Sequence, residues 1–219
     1  MIKAIDILSD LCQEFKPSGN IVINEIEQAG SSREYFRILI DGVSYIGAFS
    51  ENVAENDSFL YFSDVFRKCG LNVPEIKVVS SCRKAYVVTD LGSSSLLDKV
   101  VEFRNRGLQD DVVWLYKQAI ESLVKFQVIA GKEIDYSRCF SSKYFGERQM
   151  LRDLMYFKYY FAKLSDVDFE ENTLDEEFYS LVNYIGETNE MYFMYRDFQA
   201  RNIMVRENTL GFIDFQGGM

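Results

Sequence analysis

The side chains best suited to chemistry lie near the end of the chain. Asp197 and Asn202 bracket the stretch Arg196-Asp197-Phe198-Gln199-Ala200-Arg201-Asn202, and Asp214 follows in Ile213-Asp214-Phe215-Gln216-Gly217. Apolar runs at 191–195, 203–205 and 210–214, separated by a polar loop and a turn at 206–209, predict strands, the last two paired as a hairpin. Such a hairpin returns Asp214 to the neighbourhood of Asp197 and Asn202. A carboxylate to accept a hydroxyl proton, with an amide oxygen and a second carboxylate to hold Mg²⁺ against phosphates, is the combination that phosphoryl transfer uses. The bland alternative is a polar hairpin whose Asp and Asn bond their own turn. Asp214 at the matching strand end weighs against it.

Composition removes competing chemistries. The chain has 219 residues and no histidine, which excludes Ser-His and Cys-His pairs, His-ligated zinc and a His base. Cys12, Cys69, Cys82 and Cys139 are spaced too widely for a zinc ribbon, and they read as reduced packing residues. A net charge of −10 opposes nucleic acid and anionic membranes as partners. Neither a signal-peptide pattern nor a membrane-length apolar run is present, so the expected location is cytoplasmic. No phosphate loop of the G-x-x-x-x-G-K-[ST] type and no dinucleotide fingerprint occurs.

The elements that must position these residues follow from periodicity. Residues 4–15 predict an amphipathic helix, and residues 21–26, 35–40 and 43–49 predict three strands, with Asp41-Gly42 as a tight hairpin turn. A helix over 54–69 stops at Gly70, and strands near 76–80 and 85–90 complete a small sheet. Leu91-Gly92-Ser93-Ser94-Ser95 reads as a linker. Long helices are expected over 110–130, 141–164 and 174–188. The aromatics of the second, Tyr144, Phe145, Tyr156, Phe157, Tyr159, Tyr160 and Phe161, read mainly as core. The acidic stretch 166–177 reads as a solvated loop and helix start.

With these residues in view, the chain resembles the aminoglycoside phosphotransferase and choline kinase branch of the protein-kinase-like fold. The 195–202 stretch is similar to that family's catalytic loop, with Tyr195 in place of its His, and 213–217 is similar to its metal-binding segment. Within the family the pairing of these two motifs is most similar to bacterial sugar kinases acting on the anomeric hydroxyl of N-acetylmuramate and N-acetylglucosamine. The resemblance implies Asp197 as base and Asn202 and Asp214 as Mg²⁺ ligands. Arg201 is placed to stabilise the transferred group, or else to pair with a nearby carboxylate.

In the first part of the chain, Gly30, Ser31, Ser32 and Arg33 resemble the family's phosphate-covering loop, Glu55 its helix glutamate, and Asp90 and Leu91 the hinge that receives adenine through backbone groups. Gly47 falls where the family's phosphate-binding lysine is expected, leaving Glu55 to find Arg33, Arg37 or a second metal ion as partner. Family members also continue beyond the position corresponding to Met219.

The resulting expectation is a two-lobed α+β fold, with a nucleotide lobe at 1–91 and a partial helical lobe at 92–219. It would use ATP and Mg²⁺ to phosphorylate a small acceptor, an amino sugar. The alternatives are an aminoglycoside or amino alcohol as acceptor, and a nucleotide-binding module without turnover. A structural scaffold indifferent to nucleotide is the blandest reading.

Overall fold

The computed structural model describes residues 4–27, 33–188 and 191–219. Helix α1 (Ala4–Phe15) is followed by strands β1 (Ile21–Ile26), β2 (Glu34–Ile40) and β3 (Val43–Phe49), helix α2 (Val53–Lys68), and strands β4 (Ile76–Val79) and β5 (Ala85–Thr89). The strands form one antiparallel sheet in the order β1-β2-β3-β5-β4. Asp41 and Gly42 both have positive φ, the backbone that a two-residue hairpin matching the strand twist requires.

The period of two decides which side of the sheet each residue serves. Phe36, Ile38 and Ile40 of β2 and Ala85 and Val87 of β5 pack with Leu8, Leu11 and Cys12 of α1. Ala48 of β3 and Tyr86 and Val88 of β5 join the opposite layer with α2, where Phe59, Phe62 and Phe66 are buried. Helix α2 starts at an Asn52 cap, whose side chain accepts from Glu55 N, and gives way to Gly70 with φ of 76°.

The second half is mainly helical: α3 (Leu96–Arg106), α4 (Gln109–Val124), α5 (Glu147–Tyr160) and α6 (Glu171–Gly186), then the two-stranded sheet β6 (Ile203–Arg206) and β7 (Thr209–Phe212). The core around α2 runs on through Leu96, Leu115, Phe126, Phe193, Tyr195, Phe212 and Phe215. One apolar layer thus joins the large sheet to the region of Asp197 and Asp214.

Several expectations are corrected. The linker at 91–95 ends in a capping box, in which Ser95 accepts from Asp98 N while Asp98 accepts from Ser95 N. It starts α3, which was not expected although Leu96, Val100 and Phe103 recur at helical spacing. Residues 191–195 form no ladder, although Met194 and Met219 exchange two backbone hydrogen bonds. The helix expected over 110–130 loosens into a π-turn at Lys125–Ile129, and the one expected over 141–164 is confined to α5. Cys82 is exposed rather than packed.

The aromatics of α5 are also not core. Tyr156, Phe157, Tyr159, Tyr160 and Phe161 are between 45% and 66% exposed. They occupy nearly consecutive positions and so span a wide arc, whereas a helix packed along one side can bury one stripe. Their rings stack along the helix instead, Tyr156 on Tyr160 at 4.4 Å and Phe157 on Phe161 at 5.4 Å. The acidic stretch behaves as expected at the start of α6, where Glu171 and Asp175 pair with Lys158.

Candidate active site

Asp197, Asn202 and Asp214 converge as their spacing predicts. The loop holding Asp197 closes on itself through Asn202 N–H to the Gln199 carbonyl at 2.8 Å, and the Ile213 amide bonds the Asn202 carbonyl at 3.1 Å. Asn202 Nδ2 donates to the Asp197 carbonyl and to Asp214 Oδ2, both at 3.0 Å. One buried amide therefore ties the loop to the returning strand. Gly217 brings its backbone close to the Asp197 carboxylate, since a Cβ there would lie 3.6 Å from Oδ2.

Tyr195, which stands where the resemblance expects His, is buried and donates its hydroxyl to the Ile213 carbonyl at 2.8 Å. Burial holds its phenol well above the ordinary tyrosine range, with the charges of Asp214 and Asp197 adding to the effect. Its hydroxyl thereby braces the loop against the strand that leads to Asp214. Arg196 and Asp214 both adopt left-handed backbone, with φ of 70° and 67°. Residues held this way cost on the order of 1–3 kcal/mol and concentrate at functional sites. Burial raises the Asp197 carboxyl above the usual Asp value, Asp214 pushes it further, and Arg196 and Gln199 oppose the shift.

Opposite this loop, Arg33 is 2% exposed and meets Glu55 at 3.1 Å and the Tyr86 hydroxyl at 3.3 Å. The sequence left the partner of Glu55 open among several cations; the structure selects Arg33. Gly47 is not the place for that cation. Its missing side chain faces Ile38 and Leu8, with a Cβ there 2.6 Å from Ile38 Cδ1 and 3.0 Å from Leu8 Cδ2, on the α1 side of the sheet. Ala48, one residue on, points toward α2.

Phe215 stacks on Phe59 at 5.1 Å, and Phe59 stacks on Tyr86 at 4.9 Å. Three parallel rings thus connect the Asp214 segment to the Arg33 partner. Tyr86 carried no sequence signal, because its role depends on a contact with a distant strand end.

Other predicted residues fare differently. Gly30, Ser31 and Ser32 lie outside the described residues. The Asp90 carboxylate is already engaged by Arg37 Nε at 3.0 Å, Ser44 Oγ at 2.6 Å and Gly92 N at 2.8 Å, leaving backbone groups as what this segment can offer a ligand. Leu91 packs over Gly211. Arg201 is exposed, and among the described residues no carboxylate pairs with it. Gln216 was quoted in the motif but given no role. It is 8% exposed and its Nε2 donates to Asp214 Oδ1 at 2.7 Å.

For a divalent cation the donor set is Asp214 and the Oδ1 of Asn202, and the buried Oε1 of Gln216 beside them has no hydrogen-bond partner among the described residues. These hard oxygens suit Mg²⁺, which is held by one or two carboxylates and completed by substrate phosphates and water. No cluster of three or more His, Cys, Asp or Glu residues exists among the described residues.

A separate cavity of 1040 Å³ lies between the π-turn, the start of α5 and the end of α6. Met194 and Met219 border it, but Asp197, Asn202 and Asp214 do not.

No family model matches the sequence, and no curated protein matches it. Solved structures do match. The streptomycin and ATP ternary complex of the aminoglycoside phosphotransferase APH(2")-IIa is similar over 100% of this chain and 72% of its own, with a TM-score of 0.64 at 14% identity. The aminoglycoside phosphotransferase APH(4)-Ia is similar over 99% of this chain and 72% of its own, with a TM-score of 0.61 at 14% identity. The fold is that of these phosphotransferases. An ethanolamine kinase from Plasmodium vivax shares it over 94% of this chain and 58% of its own, at a TM-score of 0.57 and 12% identity. The expected α+β architecture, a five-stranded antiparallel sheet with a helical part, is therefore the architecture observed. Among the described residues no helix is long and apolar enough to cross a membrane.

Proposed function

We propose that the chain is an ATP-dependent phosphotransferase acting on a hydroxyl of a small molecule. The observation that carries this reading is the Asn202 amide bridging Asp197 and Asp214, with the Arg33 to Glu55 pair linked to the Asp214 segment through Tyr86, Phe59 and Phe215. Residues 1–91 and 92–219 are read as the nucleotide lobe and the acceptor-side lobe, with nucleotide near residues 90–95.

In this reading Asp197 orients the acceptor hydroxyl and takes its proton, a role favoured by a carboxyl whose proton affinity is raised by burial. Asp214 and Asn202 hold Mg²⁺, which supplies charge neutralisation for the phosphates. Arg33 faces the phosphates as the cation that replaces the missing lysine, and Glu55 fixes its guanidinium. Gly30, Ser31 and Ser32 cover the phosphates, and the backbone at Asp90 and Leu91 receives the base. Arg201, free of any ion pair among the described residues, is available to the transferred group.

The acceptor is read as an amino sugar phosphorylated at its anomeric hydroxyl, on the motif resemblance. An aminoglycoside acceptor is supported equally by the neighbours, which include a streptomycin complex. A cytoplasmic location belongs to the same reading.

A thermal-shift titration with ATP, with and without Mg²⁺, tests the nucleotide site. Ligand at a hundred times its dissociation constant adds about 2.7 kcal/mol, and each kcal/mol moves the midpoint of a chain this size by roughly 2–4 °C. The expected result is a magnesium-dependent rise of about 5–10 °C that Asp214→Asn abolishes. No shift at saturating nucleotide overturns the reading.

A further inference from the structure

Gln216 lies two residues beyond Asp214 and is 8% exposed. Its backbone carbonyl accepts from Ser58 Oγ of α2 at 3.3 Å, which anchors the residue to the helix beneath it. Its Nε2 donates to Asp214 Oδ1 at 2.7 Å, while Asn202 Nδ2 donates to Oδ2 at 3.0 Å. Both oxygens of Asp214 are therefore held by amide donors, and the plane of the carboxylate is fixed. The amide orientation of Gln216 is fixed as well, because the reverse would set two oxygens against each other.

The other half of that amide is unaccounted for. Gln216 Oε1 is buried and, among the described residues, has no hydrogen-bond partner. Buried acceptors are rarely left unmet, and an orphan beside a functional carboxylate points to a ligand or ion that supplies the donor. The chemistry next to Asp214 narrows the choice to a hydrated divalent cation, whose coordinated waters are strong O–H donors.

We infer that Gln216 is a positioning residue of the cation site: Nε2 sets the angle at which Asp214 presents its free lone pairs, and Oε1 accepts from a cation-bound water. The inference rests on the reading of Asp214 as the cation's carboxylate. Asp214 held by Asn202 alone would be free to rotate, so Gln216 should govern metal affinity and leave metal-free nucleotide affinity alone.

Mn²⁺ binding to the ADP-saturated chain, followed by the free-ion electron spin resonance signal, is the direct test. ADP affinity in EDTA and the thermal midpoint are measured beside it. Gln216→Met keeps the volume and removes both polar atoms. It should weaken Mn²⁺ by roughly 10–100-fold, the usual effect of losing an outer partner of a metal ligand, with ADP affinity in EDTA changed less than about twofold.

Mn²⁺ affinity within about twofold of the unchanged chain in Gln216→Met overturns the inference. Equal losses with and without metal also overturn it, because they mark Gln216 as packing alone. Asp214→Asn separates the two levels of argument: if it leaves Mn²⁺ binding intact, Asp214 is not the cation's ligand and both readings fall, whereas if it abolishes binding and Gln216→Met does not weaken it, the inference alone falls.

Discussion

At the scale of single residues, Asp197 carries the most specific expectation. A carboxyl raised by burial and by Asp214 is the better proton acceptor, but it is also less readily ionised in the folded chain than in the unfolded one. Stability linked to this group is greatest below the unfolded value of about 3.9 and is lost as pH rises through the raised folded value. Asp197→Asn should therefore leave the thermal midpoint at neutral pH unchanged or higher, with any gain shrinking on acidification. The same substitution should retain nucleotide binding and lower turnover by about 10²–10⁴-fold. In the unchanged enzyme the acid limb of kcat/KM should sit above the ordinary Asp range. Turnover within tenfold of the unchanged chain would refute the base assignment.

At the scale of elements, β3 shows how a strand's alternation overrules a motif. Lysine at Gly47 would have to thread between Ile38 and Leu8, both fully buried. Gly47→Lys should lower the midpoint by roughly 5 °C or more, since overpacking alone costs about 1–3 kcal/mol and a buried ammonium adds its desolvation. It should not improve nucleotide binding. A midpoint equal to that of the unchanged chain would mean that the Gly47 side is not packed as described. The cation that pairs with Glu55 comes instead from just before β2, at Arg33. The stack of Tyr86, Phe59 and Phe215 then ties β5, α2 and the Asp214 segment into one unit, and Arg33 joins it through the Tyr86 hydroxyl.

At the scale of the whole molecule, the net charge of −10 separates the acceptor classes. An acidic enzyme attracts a polycationic aminoglycoside from a distance and treats a neutral sugar indifferently, and salt screens that attraction over a Debye length of about 8–10 Å. With N-acetylglucosamine as acceptor, kcat/KM should stay flat as salt is raised. A cationic acceptor would show a steep decline. Measuring both acceptors across a salt series gives the discrimination, and a higher, salt-sensitive kcat/KM for the aminoglycoside would move the assignment to that class.

What the sequence determined was local. Alternation of apolar residues set the strands of the large sheet, the Asp41-Gly42 turn set its first hairpin, and the spacing of Asp197, Asn202 and Asp214 was enough to foresee their convergence, because one short hairpin brings them together. Helix α3 was not expected although Leu96, Val100 and Phe103 recur at helical spacing, because the Ser-rich stretch before it reads as a linker and its start depends on the Ser95 and Asp98 cap. Exposure of the α5 aromatics was equally illegible, because burial depends on which neighbour covers a face and not on residue type. The pairing of Arg33 with Glu55 and the hold of Gln216 on Asp214 came only with the tertiary structure. The first joins the residue before β2 to the helix packed on the sheet; the second depends on the left-handed turn at Asp214, which folds the side chain of Gln216 back on the carboxylate. Contacts of this kind are fixed by packing in three dimensions, where no sequence period records them.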